Sequence, residues 1–378
     1  MNTPLQNLLP SSLSTRNLLL GLALVLLSGS PLRAADREWN GDGTAGRFDS
    51  PGNYSGSGSL SADTLIFNIA KDVDQLINQS TDGFNFHSIT IGAGATGFHL
   101  SGMDIVFKGK IEVAANTEAT FSNQIIAYND TTNYPTRDLI VGENGTLVLD
   151  GYYGFGFTPV YKKGAGTLVI NLGNKERGQA PPNNRIEAVH HFDEGRVVLG
   201  NNAILQRNEG SNPTLPVFLG TTSTTATLSG GGSIRGSVTT AGVDRSIIEV
   251  GGGDGTLQIT TINAAEGLTL DFNLGLGVHL LSGDSFTAGE VAFRFSGGEE
   301  ETTYTLLNYA SYSVDLENFT VTTPGYLLDA TFGNGGWEMD GNDLRVRFAA
   351  IPEPGTIALL SVGALFLLVR RGRNRRFF

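Results

Sequence analysis

Gly145-Thr-Leu-Val-Leu149 returns with small changes as Gly166-Thr-Leu-Val-Ile170 and Gly195-Arg-Val-Val-Leu199, and once more as Gly255-Thr-Leu-Gln-Ile259. Each copy is a glycine, a polar residue and then apolar positions. The first three start 21 and 29 residues apart, close to the chain length of one β-helix coil. In such a coil the glycine permits a corner with φ > 0, and the strand after it turns every second side chain inward onto the rung below. A solenoid is the expectation; an antiparallel sandwich of glycine-rich hairpins is the alternative.

Outward from these copies the pattern holds. From Asp36 on no segment sustains a 3.6-residue period, whereas short alternating or β-branched runs bounded by Gly, Asn and Asp recur. Asp63-Thr-Leu-Ile-Phe67, Ser88-Ile-Thr-Ile91, Asp104-Ile-Val-Phe107 and Leu268-Thr-Leu-Asp-Phe272 are examples. Glycine, at 51 of 378 residues, is about twice the usual share, while charged residues are only 16%, as suits many tight turns between short strands. A hydrophobic fraction of 40% is enough apolar material for a core. The fold class is therefore all-β. The absence of cysteine excludes disulfides, zinc–thiolate sites and thiol nucleophiles together.

Charge separates the ends from the body. Residues 1–35 carry two arginines and 355–378 carry five, with no acids in either stretch. That leaves 18 basic against 37 acidic residues over 36–354, a net of −19. Such a body repels nucleic acid and anionic lipid, so no nucleic-acid partner is expected. Near the N-terminus Arg16 precedes the apolar run Leu18 to Leu27, too short to span a bilayer. Ser28, Gly29, Ser30 and Pro31 then break a helix, and Ala34 and Ala35 are small enough for a signal peptidase pocket. Residues 1–35 thus read as a signal peptide with cleavage near Ala34 or Ala35.

At the other end Pro352-Glu353-Pro354 leads into Ile357 to Val369, apolar but for Ser361, and then Arg370, Arg371, Arg373, Arg375 and Arg376. The prolines keep a helix from starting before them. Nine Leu, Ile, Val or Phe residues, at roughly −0.3 to −0.6 kcal/mol each, favour insertion by about 3 to 5 kcal/mol. A C-terminal transmembrane helix is expected, with the arginines holding its end on the cytoplasmic side and the body outside. The segment is shorter than a standard span of ~20 residues, so it sits thin or lightly held.

This order of parts over 351–378 resembles the PEP-CTERM sorting signal of Gram-negative bacteria, in which Pro-Glu-Pro, a hydrophobic helix and terminal arginines are recognised by an exosortase. The resemblance implies an exosortase-like processing enzyme as partner, transient residence in the inner membrane, and a bacterium that makes exopolysaccharide. It concerns sorting alone. Within the body, Lys163-Gly-Ala-Gly-Thr-Leu-Val-Ile170 followed by Glu194-Gly-Arg-Val-Val-Leu-Gly200 resembles the autotransporter-associated β-strand repeat, with its Lys-x-Gly-x-Gly-Thr-Leu opening and Gly-x-Leu-x-Leu-Gly close. That resemblance implies a right-handed parallel β-helix over 36–350. Trp39-Asn-Gly-Asp-Gly43 through Phe67 looks like the opening segment of such chains, with Phe48 or Tyr54 in place of the usual second tryptophan. Thr303-Tyr-Thr-Leu-Leu307 and Phe319-Thr-Val321 look like their ending. No barrel translocator follows, so the chain does not export itself as an autotransporter.

Several motifs imitate sites. Gly92-Ala-Gly-Ala-Thr-Gly97 fits the dinucleotide fingerprint and has Glu112 downstream, but strand-like residues follow where a helix is required. Of the five histidines only His190 and His191 adjoin, and in a strand they face opposite sides, so surface or loop positions are expected. Gly251-Gly-Gly-Asp-Gly255 is half of a calcium-type turn and occurs once, while Gly297-Gly-Glu-Glu-Glu301 reads as a solvated loop. No catalytic residue, cofactor or metal ligand is assigned. The expectation is an exported, non-enzymatic structural or adhesive protein of the cell surface or matrix, associated with extracellular polysaccharide. The alternative is a carbohydrate-active β-helix enzyme, which needs carboxylates and cations converging from successive rungs.

Overall fold

The computed structural model describes residues 35–350 except 58, 61–62, 80–83, 128–135, 152, 156–158, 172–188, 207–214, 252–255 and 277–279. One turn of the chain shows the architecture. Strands Lys110–Val113, Glu118–Phe121 and Ile125–Ala127 follow one another on three sides, and the next strand, Arg137–Val141, returns to pair with the first. Asp138 lies beside Lys110 and Val141 beside Val113, in parallel register. Repetition of this step gives a β-solenoid of about 10 turns. Its sides are sheets of 15, 11 and 4 strands.

The alternating sequence sets the register. Thr146–Leu149 and Thr167–Ile170 both alternate outward and buried positions. Their inward residues continue in line, Leu147 over Leu168 over Val197 and Leu149 over Ile170 over Leu199. A slip of one residue would turn these chains into water and threonines into the core. Each buried Leu, Ile or Val is worth roughly 1.5–3 kcal/mol, so the register is strongly held.

The first three glycine copies are consecutive rungs of the 11-stranded sheet, as their spacing suggests. The fourth is not: Leu257–Ala264 belongs to the 15-stranded sheet, on another side of the coil. The role of the glycines also differs from expectation. Gly195 has φ +76°, but for Gly145 and Gly166 the constraint is space. A Cβ on Gly166 would stand 2.1 Å from the Gly142 carbonyl oxygen, and one on Gly145 2.7 Å from that of Ala114. The left-handed corner residues nearby are Asn144 and Gly164. Tight stacking of one turn on the next requires these glycines to lack a side chain.

The three-sided coil changes shape along the chain. The 4-stranded sheet serves the early turns, from Phe84–Phe86 to Tyr153–Phe155. Later, Ile204–Gln206 pairs with the first half of Ser233–Thr240 and Leu215–Leu219 with its second half. Two sides have fused into one bent strand, and Leu257–Ala264, Leu281–Ala288 and Thr303–Ser313 repeat it. At the bend Arg235 and Gly236 together oppose Thr260, a β-bulge.

Both ends of the stack are closed by aromatic side chains. Trp39, Tyr54 and Phe48 cluster on Phe67. At the far end Trp337 lies 4.5 Å from Phe293 and 5.3 Å from Phe319. There Asp343–Arg347 pairs antiparallel with Thr303–Ser313, and Trp337–Asp340 pairs antiparallel with Asp343–Arg347 in turn, so that a hairpin follows the last parallel rung. The two tryptophans of the sequence thus sit at opposite ends, where exposed edges would otherwise invite further strand pairing.

Candidate binding face and sorting signal

The bend described above leaves a groove of about 570 Å³ on the outside of the solenoid, bordered by Arg235, Gln258, Thr260, Ser282, Asp284 and Asn308. These residues come from four successive turns. Gln258 pairs in register with Ser282, and Ser282 with Asn308, so the groove runs along the solenoid axis. The glycines Gly236 and Gly283 complete its lining. A Cβ on Gly283 would meet the Ile259 carbonyl oxygen at 1.9 Å and the Tyr309 ring at 2.6 Å, so that position admits no other residue. Asn308 is held by a 2.6 Å hydrogen bond to Asp343 on the closing strand. Two ionisable side chains, Arg235 and Asp284, line the groove; the remaining polar groups are amides and hydroxyls.

A second charged group occupies the outward face of the 11-stranded sheet. Glu249, Asp271 and Arg294 lie on successive rungs in register, and Arg196 grips Glu249 with both guanidinium nitrogens. Burial, and then the Glu249 charge, raises the Asp271 carboxyl above its usual range, against the pull of Arg294 and Arg196. Two carboxylates in register, that of Asp271 with its pKa raised, and the guanidinium groups of Arg294 and Arg196 form a charged cluster that the sequence did not disclose. Asp271 and Glu249 fall within different strands, and only the register brings them together.

On the 15-stranded sheet Tyr161, His191 and Phe218 stack ring on ring, at 4.3 and 4.9 Å between centroids. Burial between these rings lowers the His191 pKa, an effect that Asp193 opposes. His190 points the other way, as alternation demands, so the pair cannot share one ion. It is not a surface residue: it is 1% exposed, edge-on to Phe192. Lys162, rather than Lys163, is the inward lysine of its repeat. Its ammonium is wholly buried and donates to the carbonyls of Gly164 at 2.6 Å and Glu194 at 2.7 Å.

The dinucleotide-like glycines form a turn between strands Ser88–Ile91 and Phe98–Gly102, with no helix to face a phosphate. Gly297, Gly298 and Glu301 have left-handed backbones in an exposed loop. Most of Gly251-Gly-Gly-Asp-Gly255 lies outside the described residues. Among the described residues no three His, Asp or Glu side chains are placed to hold a metal ion.

Residues 1–34 of the expected signal peptide, Ala34 included, and the whole of Pro352-Glu353-Pro354, the hydrophobic run and Arg370, Arg371, Arg373, Arg375 and Arg376 lie outside the described residues. No helix among the described residues is long and apolar enough to cross a membrane. Ala35 is described, and its backbone already joins the fold: its N–H donates to Asp63 Oδ1 at 3.0 Å and its carbonyl accepts from Thr64. Residues 350–376 match the PEP-CTERM protein-sorting motif. The PEP-CTERM motif marks an exported protein, a membrane-anchored precursor that an exosortase-type enzyme processes on its way to the cell surface. No curated protein and no solved structure matches the chain.

Proposed function

We propose that this protein is a non-enzymatic scaffold or adhesin of the cell surface or extracellular matrix, delivered through a cleaved signal peptide and a PEP-CTERM tail, and associated with exopolysaccharide. The observation that carries this reading is the sorting motif at 350–376 attached to a closed, end-capped β-solenoid. A solenoid suits the task because its stacked turns form a long rigid surface, on which many weak contacts add by multivalency. The net charge of −19 over 36–354 keeps copies apart in solution. The producing cell is a Gram-negative bacterium, and the apolar run Ile357 to Val369 is the transient anchor. The body belongs with the right-handed, autotransporter-associated type of β-helix. Support for that comes from the register of Thr167–Ile170 with Gly195–Leu199, in which the two quoted halves of the repeat are neighbouring rungs.

Fractionation of cells producing the tagged full chain tests this. The protein is expected outside the cytoplasm, and replacing Pro352, Glu353 and Pro354 together by alanine should trap it at the inner membrane. Soluble cytoplasmic protein would overturn the reading. The rival, a carbohydrate-active enzyme, has its best footing in Glu249 and Asp271. If the purified chain released reducing ends or unsaturated uronates from a polysaccharide, and Asp271→Asn abolished that release, the rival would replace the scaffold.

A further inference from the structure

Beside the groove the outward residues of the same four turns form a regular array. Ser237, Thr261, Ser285 and Ser311 stand in register in one column. Thr239, Asn263, Thr287 and Ser313 form a second column, two residues further along each strand. Between the columns Val238, Ile262 and Phe286 point into the core, so the hydroxyls are fixed on a rigid backbone. Adjacent turns are spaced by about 4.8 Å and the columns by about 7 Å. Groove and columns together make one hydroxyl- and amide-rich strip, with Arg235 and Asp284 as its two charged groups, running roughly 14 Å along the axis.

We propose that this strip binds a neutral glycan chain laid along the solenoid axis, with successive sugar rings meeting successive turns; the proposal deepens the surface-scaffold reading and rests on it. Three observations select this ligand. First, the lining groups Gln258, Thr260, Ser282 and Asn308 both donate and accept hydrogen bonds, which matches the dense mixed donors and acceptors of a sugar. Second, the repeat of the strip is close to the length of one pyranose ring, so the same contact can recur turn after turn and the weak contacts add. Third, charge argues against an anionic polymer: one guanidinium is answered by one carboxylate within the groove, on a body of net −19. A peptide added as a strand is disfavoured too, because the strands beneath are interior ones, each paired with a neighbour on both sides. Because the lining is held by the parallel ladder and by the Asn308 bond to Asp343, little ordering is lost on binding.

The test is retardation of the purified full chain in native gels containing neutral polysaccharides (mixed-linkage glucan, galactomannan, glucomannan) or anionic ones (alginate, polygalacturonate). At least one neutral gel should retard the protein, and the anionic gels should not. Thr260→Trp, which fills the groove, and the pair Gln258→Ala with Asp284→Ala should each weaken retardation roughly tenfold or more. Thr227→Ala, outward on the 11-stranded sheet, should leave it unchanged. An unchanged melting temperature shows that the variants fold. The proposal is overturned by retardation in anionic gels only, by none in any neutral gel, or by folded Thr260→Trp protein that binds like the parent. If the protein is exported yet none of its glycan retention depends on the groove, this inference falls and the surface reading stands. Groove-dependent binding by a protein found in the cytoplasm would do the reverse.

Discussion

Lys162→Met probes how one turn is tied to the next. The Lys162 ammonium reaches Gly164 and Glu194, residues at the corners of successive turns, and more weakly Lys163 at 3.3 Å. Burial, partly offset by the Glu194 charge, lowers its pKa from 10.5 to about 8. Between about 8 and 10.5 the unfolded chain keeps a proton that the native chain has shed. The unfolded state then binds more protons, so stability rises with pH through that window. Below pH 8 both states are protonated, and the penalty for burying the charge is fully present. Integrated from pH 7 to 9.5, this group adds about 2 kcal/mol to the unfolding free energy. Methionine removes the titration and the buried charge while leaving carbonyls without their donor at roughly 1 kcal/mol each. The variant should therefore lie close to the parent at pH 7 and fall below it by about 2 kcal/mol at pH 9.5. Urea unfolding at the two pH values, followed by far-ultraviolet circular dichroism, measures the difference, and other titrating groups cancel in it. Tyr54 and Tyr309, whose phenols burial raises above their ordinary value of 10, lower stability as pH nears 10, but equally in parent and variant. Equal pH slopes in parent and variant would refute the reasoning.

Gly166→Ala drives a Cβ to within 2.1 Å of a backbone oxygen and should lose about 2–3 kcal/mol or fail to fold, whereas Gly275→Ala, with nothing nearer than 3.6 Å, should stay within about 1 kcal/mol by urea unfolding. Trp337→Ala opens the closed end; it should lower stability by about 3–5 kcal/mol and produce concentration-dependent association in size-exclusion chromatography. His191→Phe removes a group whose pKa is lowered by burial between two rings. In the parent the unfolded state takes up that proton first as pH falls below the usual histidine value, so stability drops there. The variant should show a shallower loss on acid titration of the melting temperature.

Much of the body was legible because a parallel solenoid writes its register into the sequence. Thr-Leu-Val-Leu and Thr-Leu-Val-Ile alternate polar and apolar residues, and the glycine before each marks the turn that must pass close under its neighbour. The copy at 255–259 misled because the same pattern serves any side of the coil; only pairing tells that Leu257–Ala264 lies on the 15-stranded sheet. Burial of Lys162 and His190 was hidden, since a polar residue at an inward position breaks the alternation that reveals the others. The groove depends on a bulge at Arg235 and Gly236, which leaves no mark in composition. Its flanking columns do leave one. Ser237-Val-Thr239, Thr261-Ile-Asn263, Ser285-Phe-Thr287 and Ser311-Tyr-Ser313 recur every 24 to 26 residues, a period more even than that of the glycine copies and readable once the turns are known. The sorting tail stood out most clearly, because proline, lipid-soluble side chains and arginine each act through local chemistry and need no partner from elsewhere in the chain.

The most direct measurement is the intact mass of the protein recovered from outside the producing cell, set beside that from cells lacking the exosortase. The account predicts an amino terminus at Ala35 or Asp36 and loss of the arginine-ended tail, with the tail retained when the enzyme is missing. A full-length mass from Met1 to Phe378 in both, confined to the cytoplasm, would contradict it.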